Sequence, residues 1–221
     1  MAVEPPPRPA LDLAQAVLLL ALGMHGGATP QAIERTLAGA VLIELIDRGC
    51  LFDDGGRLVP SSCGAPDDEL LADALALLRS SVRPREAPWW IERLPRQLAP
   101  LRERVARPLV ERGIVPHERS RFTGPYGGMR FPAHDREPER QLRARLAPVL
   151  LGERDPFPWE ATLIALLRAH GLERDAVPEE RRGAAARRAS EIAAEAELGA
   201  ATWTVVRALE GDASAARSSP G

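Results

Sequence analysis

Arginine is the side chain whose number and clustering point most directly to chemistry in this sequence: all 29 lysine-plus-arginine positions are arginine. A guanidinium is a planar, permanently charged fork that meets phosphate or carboxylate oxygens through paired hydrogen bonds. The formal net charge of −2 hides how these forks are distributed. Residues 79–145 hold sixteen arginines against eight acidic residues, so the rest of the chain is acidic. A basic middle inside an acidic whole predicts a surface with an anionic partner. The competing expectation is internal neutralisation by glutamates at helical spacing, for which Arg102-Glu103-Arg104 and Glu111-Arg112 are placed.

Other chemistry is thinly represented. His25, His117, His134 and His170 lie far apart, none with a second His or Cys at metal-ligand spacing. His170 falls at the end of a helical pattern, where a cation complements the dipole. Without lysine there is no phosphate-binding loop of the G-x-x-x-x-G-K type, and no G-x-S-x-G is present. Asp53 and Asp54 precede Gly55-Gly56 and read as turn residues rather than metal ligands. The sequence therefore predicts no metal, no cofactor and no enzyme. Cys50 and Cys63 are too few for a disulfide framework, and they are expected as reduced thiols in the cytosol.

The elements that must position the arginines are mostly helical. Aromatics make up only 4% of the chain, so the core must come from Leu, Ala, Val and Ile, among which Leu and Ala favour helix. Residues 1–10 form a Pro-rich, flexible lead. Leu11 to Leu22 is too continuously apolar for a surface helix and too short for a membrane span, so it predicts a buried helix. A second helix over 30–48 carries the stripe Ile33, Leu37, Val41, Leu42, Leu45 and Ile46. Two short apolar runs around Asp53-Asp54-Gly55-Gly56 predict a β-hairpin. Helices follow over 67–79, around Trp89 to Leu94 after a Pro-broken link from Arg83 to Pro88, and from Leu98 to Arg112. The pair Trp89-Trp90 offers a stacking surface, although partial burial is the commoner fate of tryptophan.

A second hairpin is expected from Ile114 to Pro132, turning at Gly124 to Gly128. Its tip holds Phe122, Tyr126, Met129 and Phe131 beside Arg121 and Arg130, an amphiphilic set suited to a lipid headgroup layer or to a second subunit. Helices are then predicted over 137–151, 159–170, 178–196 and 198–209, and residues 210–221 as a disordered tail. The fold class is mainly α: one globular helical domain over 11–209 with one or two β-hairpins, one of them protruding. No secretory signal is read, and the expected location is the cytoplasm, peripheral on the inner face of the membrane.

Several segments in order resemble the Golgi phosphoprotein 3 family, and in particular its prokaryotic members. They are Leu11 to Leu20, Leu42 to Gly49, Gly64-Ala65-Pro66 with Asp68 to Leu75, Trp90-Ile91-Glu92, and above all Leu101 to Ala106 running through Leu109 to Ile114. Leu163 to Gly171 and Trp203 to Leu209 fit more loosely. The resemblance implies a helical domain with a protruding hairpin that serves membrane contact or homo-oligomerisation. It also implies binding of phosphatidylinositol 4-phosphate at membranes through a pocket of one tryptophan and several arginines.

Carried over position by position, that pocket falls on Thr29, Ala38, Ala99 and Arg102, so one of its four contacts keeps its residue type. Arg35, one helical turn from Ala38, and Arg96, near Ala99, are the neighbours placed to compensate. With Arg104 they complete the expected headgroup-binding set of Arg102, Arg35, Arg96 and Arg104, facing an anionic phospholipid surface. The alternative is a winged-helix-like nucleic-acid-binding protein, since the helices ending at Arg48-Gly49 and at Arg112-Gly113 are each followed by a predicted hairpin. A pI of about 6.1 and largely apolar helix faces argue against it.

Overall fold

A helix that is apolar around its whole circumference is stable in water only when other elements enclose it. The computed structural model, which describes residues 11–24, 33–115, 136–169, 171–195 and 198–218, encloses α1 (Leu13–Met24) in this way. Every side chain from Leu13 to Leu22 is buried. Two carboxylates start the helix: Asp12 Oδ1 accepts from the Gln15 amide at 2.7 Å, and Glu44 Oε1 accepts from the Leu13 amide at 2.8 Å. They satisfy amide donors that have no partner inside the helix and sit at the positive end of its dipole. α1 packs along α2 (Ile33–Asp47), which is buried on all sides from Thr36 to Leu45. Pro30, where the predicted helix begins, lies outside the described residues.

The first predicted hairpin is present. β1 (Leu51–Asp54) pairs antiparallel with β2 (Arg57–Pro60), with Phe52 opposite Val59 and Asp54 opposite Arg57. Gly55 and Gly56 have φ of 61° and 87°, the left-handed pair that a two-residue hairpin turn demands. After α3 (Glu69–Arg79), capped by Asp68 Oδ1 on the Leu71 amide, the chain adds an unforeseen strand. β3 (Arg85–Glu86) lies in the stretch read as a Pro-broken link, yet it pairs with β2 through Leu58 opposite Arg85. The free edge of β2 supplies the partner that two residues cannot specify by themselves.

The cysteine expectation is also corrected: Cys50 and Cys63, 5.3 Å apart at Cα, form a disulfide rather than two thiols. Cys50 immediately precedes β1 and Cys63 follows β2, so the hairpin itself carries the two sulfurs back to one end of the ladder. Arg79 secures that end by donating to the carbonyls of Ser61 and Cys63 at 2.9 and 2.7 Å.

β3 leads directly into α4 (Ala87–Gln97), then α5 (Leu101–Glu111), α6 (Glu137–Leu150) and α7 (Pro158–Arg168). A 3-10 segment at 172–176 and a short one at 179–181 precede α8 (Arg182–Glu195), where the sequence predicts helix from residue 178. α9 (Ala200–Ser218) runs well beyond the predicted end at 209, into the stretch read as a disordered tail. Ala213, Ala215, Ala216 and Arg217 are good helix formers, and extending an existing helix costs far less than nucleating one.

A buried polar clip holds the second half. Glu160, fully enclosed on α7, takes Arg154 in a two-pronged pair at 2.7 and 2.9 Å, Arg145 Nε at 2.6 Å and the Phe157 amide at 3.0 Å. Burial opposes ionisation of Glu160. The Arg154 fork, the Phe157 amide and Arg145 outweigh it and hold the carboxyl below the usual carboxylate range. The predicted hairpin over 114–132 lies almost wholly outside the described residues; of it only Ile114 and Val115 are described, both buried.

Candidate functional site

The beginnings of α2 and α5 and the later turns of α4 bring three of the four expected arginines together. Arg35, in the first turn of α2, pairs with Glu92 of α4. Arg96, one turn further along α4, reaches the same Glu92 at 3.4 Å. Arg102, in the first turn of α5, donates from Nε to Glu34 at 3.0 Å. Glu34 and Arg35 are sequence neighbours, so the Arg35–Glu92–Arg96 group and the Arg102–Glu34 pair adjoin at the start of α2, three guanidiniums and two carboxylates in all.

Arg104 is separated from the rest. Two residues along a helix is a rotation of about 200°, so Arg102 and Arg104 cannot share a face. Arg104 lies against α3 instead, 2.6 Å from Asp73 and 4.0 Å from Glu69, while Arg107 takes Glu69 at 2.6 Å. The expected set of four is therefore a set of three plus a separate bridge between α5 and α3.

The pairs differ in how readily they open. Arg35, Arg96 and Glu92 are exposed, and pairs of that kind contribute only about 0–1 kcal/mol. An arriving phosphate can exchange with Glu92 at little cost. Arg102 keeps only 16% of its side chain exposed, so it is held more firmly on Glu34. Ala38, aligned with a pocket arginine, is fully buried and contributes nothing to this surface. Thr29, aligned with the pocket tryptophan, lies outside the described residues, as do Phe122, Tyr126, Met129 and Phe131 of the predicted hairpin tip.

Sequence reasoning passed over a second arginine grouping. The guanidiniums of Arg85 and Arg93 each stand 5.0 Å from the centre of the Trp89 ring. Trp89 also meets Trp90 edge to face at 4.6 Å; Trp90 is buried and Trp89 half-buried. The i, i+4 spacing of Trp89 and Arg93 within α4 would have revealed half of this stack, whereas Arg85 reaches the ring from β3 and has no such signal.

No group of three or more metal-ligating side chains exists among the described residues, and all four histidines lie outside them. Two acids are displaced upward. Burial pushes Asp12 up to about 6 against the pull of the Gln15 amide, with Glu44 and Asp68 adding to the rise. Burial likewise raises Glu173, only partly opposed by its backbone and Arg174. Neither lies in the arginine cluster.

The family model of Golgi phosphoprotein 3 matches residues 13–209. The chain belongs to the Golgi phosphoprotein 3 family. No match was found among curated proteins. The match runs from the first residue of α1 into α9, so the family frame includes all the elements that position the arginine cluster. Among the described residues, no helix is long and apolar enough to cross a membrane.

Proposed function

We propose that this member of the Golgi phosphoprotein 3 family works by binding rather than catalysis, as a peripheral membrane or adaptor protein. Its ligand is an anionic phospholipid headgroup, with phosphatidylinositol 4-phosphate the family's precedent. One observation supports this reading above the others: Arg35 and Arg96 meet on one exposed carboxylate, Glu92, that an anion can replace, and Arg102 is paired to Glu34, the residue next to Arg35 in α2. Guanidiniums near an anionic bilayer contribute roughly 1 kcal/mol each, so three of them give weak, reversible, salt-sensitive attachment. In this reading the Phe122, Tyr126, Met129 and Phe131 tip supplies an apolar anchor or a contact between copies.

Co-sedimentation with three vesicle sets tests the proposal: neutral, generally anionic, and phosphatidylinositol 4-phosphate at matched charge, each with wild type and Arg102→Ala. Binding to the phosphoinositide above its charge-matched control, lost in the variant, is the expected result. Equal binding to all anionic vesicles reduces the site to a charged surface. Absence of binding to any vesicle removes the lipid reading. Duplex DNA as a competitor in the same assay separates lipid from nucleic-acid binding, because both weaken with salt.

A further inference from the structure

We infer that the stretch from Val82 to Arg93 is a second membrane-contact surface, in which Trp89, held between Arg85 and Arg93, lies at the headgroup level of an anionic bilayer. The inference rests on the peripheral-membrane reading and assigns the contact to residues outside the Arg35–Arg96–Arg102 cluster.

Charge provides the first argument. Most described arginines of this chain are held by a carboxylate, as Arg104 is by Asp73 and Arg154 by Glu160. Arg83, Arg85 and Arg93 have no ion-pair partner among the described residues. The Nε–H of Arg85 is buried without an acceptor, and its guanidinium and that of Arg93 rest on the indole of Trp89 instead. The two acids of this stretch do not offset them: Glu92 is taken by Arg35 and Arg96, and Glu86 stands across the ladder from Arg57. Three cations within eleven residues keep their charge for an external anion.

Amphiphilicity provides the second. Val82, three residues before β3, is the most exposed large apolar side chain among the described residues, with its surface entirely open. A fully open valine flanked by Arg83 gains from an apolar layer beside anions. Tryptophan favours the same boundary, because its ring is apolar and its N–H polar. Trp90, the neighbour, is buried, so within this pair only Trp89 can report on the outside. An acidic protein would satisfy the arginines but gives no account of the open valine, and the bilayer interface accounts for both.

The experiment uses the full chain with vesicles of phosphatidylcholine containing anionic phosphatidylserine, some of it brominated in the acyl chain to quench nearby tryptophan. Wild type is expected to partition and to show lipid-dependent quenching. Trp89→Phe should lose most of that quenching while Trp203→Phe, which removes the most exposed of the described indoles, keeps it. Arg85→Ala with Arg93→Ala should weaken partition by roughly thirtyfold, at about fivefold per arginine. Arg181→Ala with Arg187→Ala, removing the same charge beside α8, should leave it within twofold. Circular dichroism confirms that the variants fold.

Partition that survives in Arg85→Ala/Arg93→Ala, with quenching intact in Trp89→Phe, overturns this inference and leaves the peripheral-membrane reading standing. A wild type that ignores every vesicle overturns both. Retention on an immobilised acidic peptide through the same arginines, without vesicle binding, reassigns the surface to a protein and also overturns the inference.

Discussion

Gly39 of α2 and Leu209 of α9 touch so closely that a Cβ on the glycine would lie 2.7 Å from Leu209 Cδ1. Leu209 is buried and cannot swing into solvent to make room. Helix propensity alone favours alanine over glycine by up to about 1 kcal/mol, whereas overpacking a filled core costs about 1–3 kcal/mol. Gly39→Ala should therefore destabilise by about 1 kcal/mol in urea unfolding. Adding Leu209→Ala should remove the clash, so the double variant should be more stable than the sum of the single effects predicts. Strict additivity would show that α9 does not rest on Gly39.

The enclosed carboxylate of Glu160 serves Arg145, Arg154 and the Phe157 amide together. Glu160→Gln keeps the volume but removes the charge that two guanidiniums require. Truncating one side of a buried pair costs about 3–5 kcal/mol; Arg145 and Arg154 retain some solvent, so about 3 kcal/mol is expected here. Glu160 ionises below its ordinary range, so its contribution is present above the unfolded carboxylate value and lost as pH falls through the folded one. The gap between wild type and Glu160→Gln should thus close toward strongly acidic pH. A gap that is constant with pH would mean that packing, not charge, sets the cost.

Asp12 behaves in the opposite sense. Its folded pKa is pushed up from 3.8 to about 6, so the native state holds this proton more tightly than the unfolded chain does. The resulting stabilisation is complete below about pH 4, declines between pH 4 and 6, and is gone above that. Asparagine keeps the capping oxygen for the Gln15 amide without the buried charge. Asp12→Asn should match wild type near pH 3.5 and exceed it at pH 8 by up to about 3 kcal/mol. Denaturant curves at a series of pH values decide the matter, and parallel curves for the two proteins would refute it.

Sequence and structure agree where a local pattern determines the outcome. The apolar run of α1, broken by Gln15, the stripe of α2 and the Gly55-Gly56 turn each have one physical solution, and each is present. β3 was illegible because its two residues, Arg85 and Glu86, have no strand pattern and gain their conformation from the edge of β2. The arginines of the candidate site could be named from spacing and family likeness. Their carboxylates could not, since Glu92 is 57 residues from Arg35 and Glu34 is 68 from Arg102. The Cys50–Cys63 link was hidden by counting cysteines alone, although the hairpin between them returns the second to the first.

That disulfide closes a short loop, with a sequence separation of 13. Constraining a loop of this size in the unfolded chain stabilises the fold by about 3 kcal/mol in the chain-entropy account. Cys63→Ser, or reductant applied to wild type, should lower unfolding stability by about 2–3 kcal/mol. Reductant should then have no further effect on Cys63→Ser. Mass spectrometry after alkylation without reduction should find both thiols blocked to reagent in native protein. Two alkylated cysteines and a stability indifferent to reductant would return them to separate thiols.

Glu92 offers a functional test with a gain rather than a loss. It holds Arg35 and Arg96 at once on the exposed side of the candidate site. Competing for those guanidiniums is what an arriving phosphate must do. Glu92→Gln removes one negative charge from the patch and frees part of two arginines, at a stability cost within about 1 kcal/mol because the pairs are exposed. If anionic headgroups bind there, affinity for anionic vesicles should rise about fivefold, the equivalent of one further arginine at the surface. The gain should shrink with added salt, because the Debye length falls from about 10 Å at 0.1 M to about 3 Å at 1 M. Glu69→Gln, which acts on Arg104 and Arg107 away from the cluster, removes the same charge and should raise affinity less. Equal gains from both variants would show attraction to net charge rather than to the patch built by α2, α4 and α5.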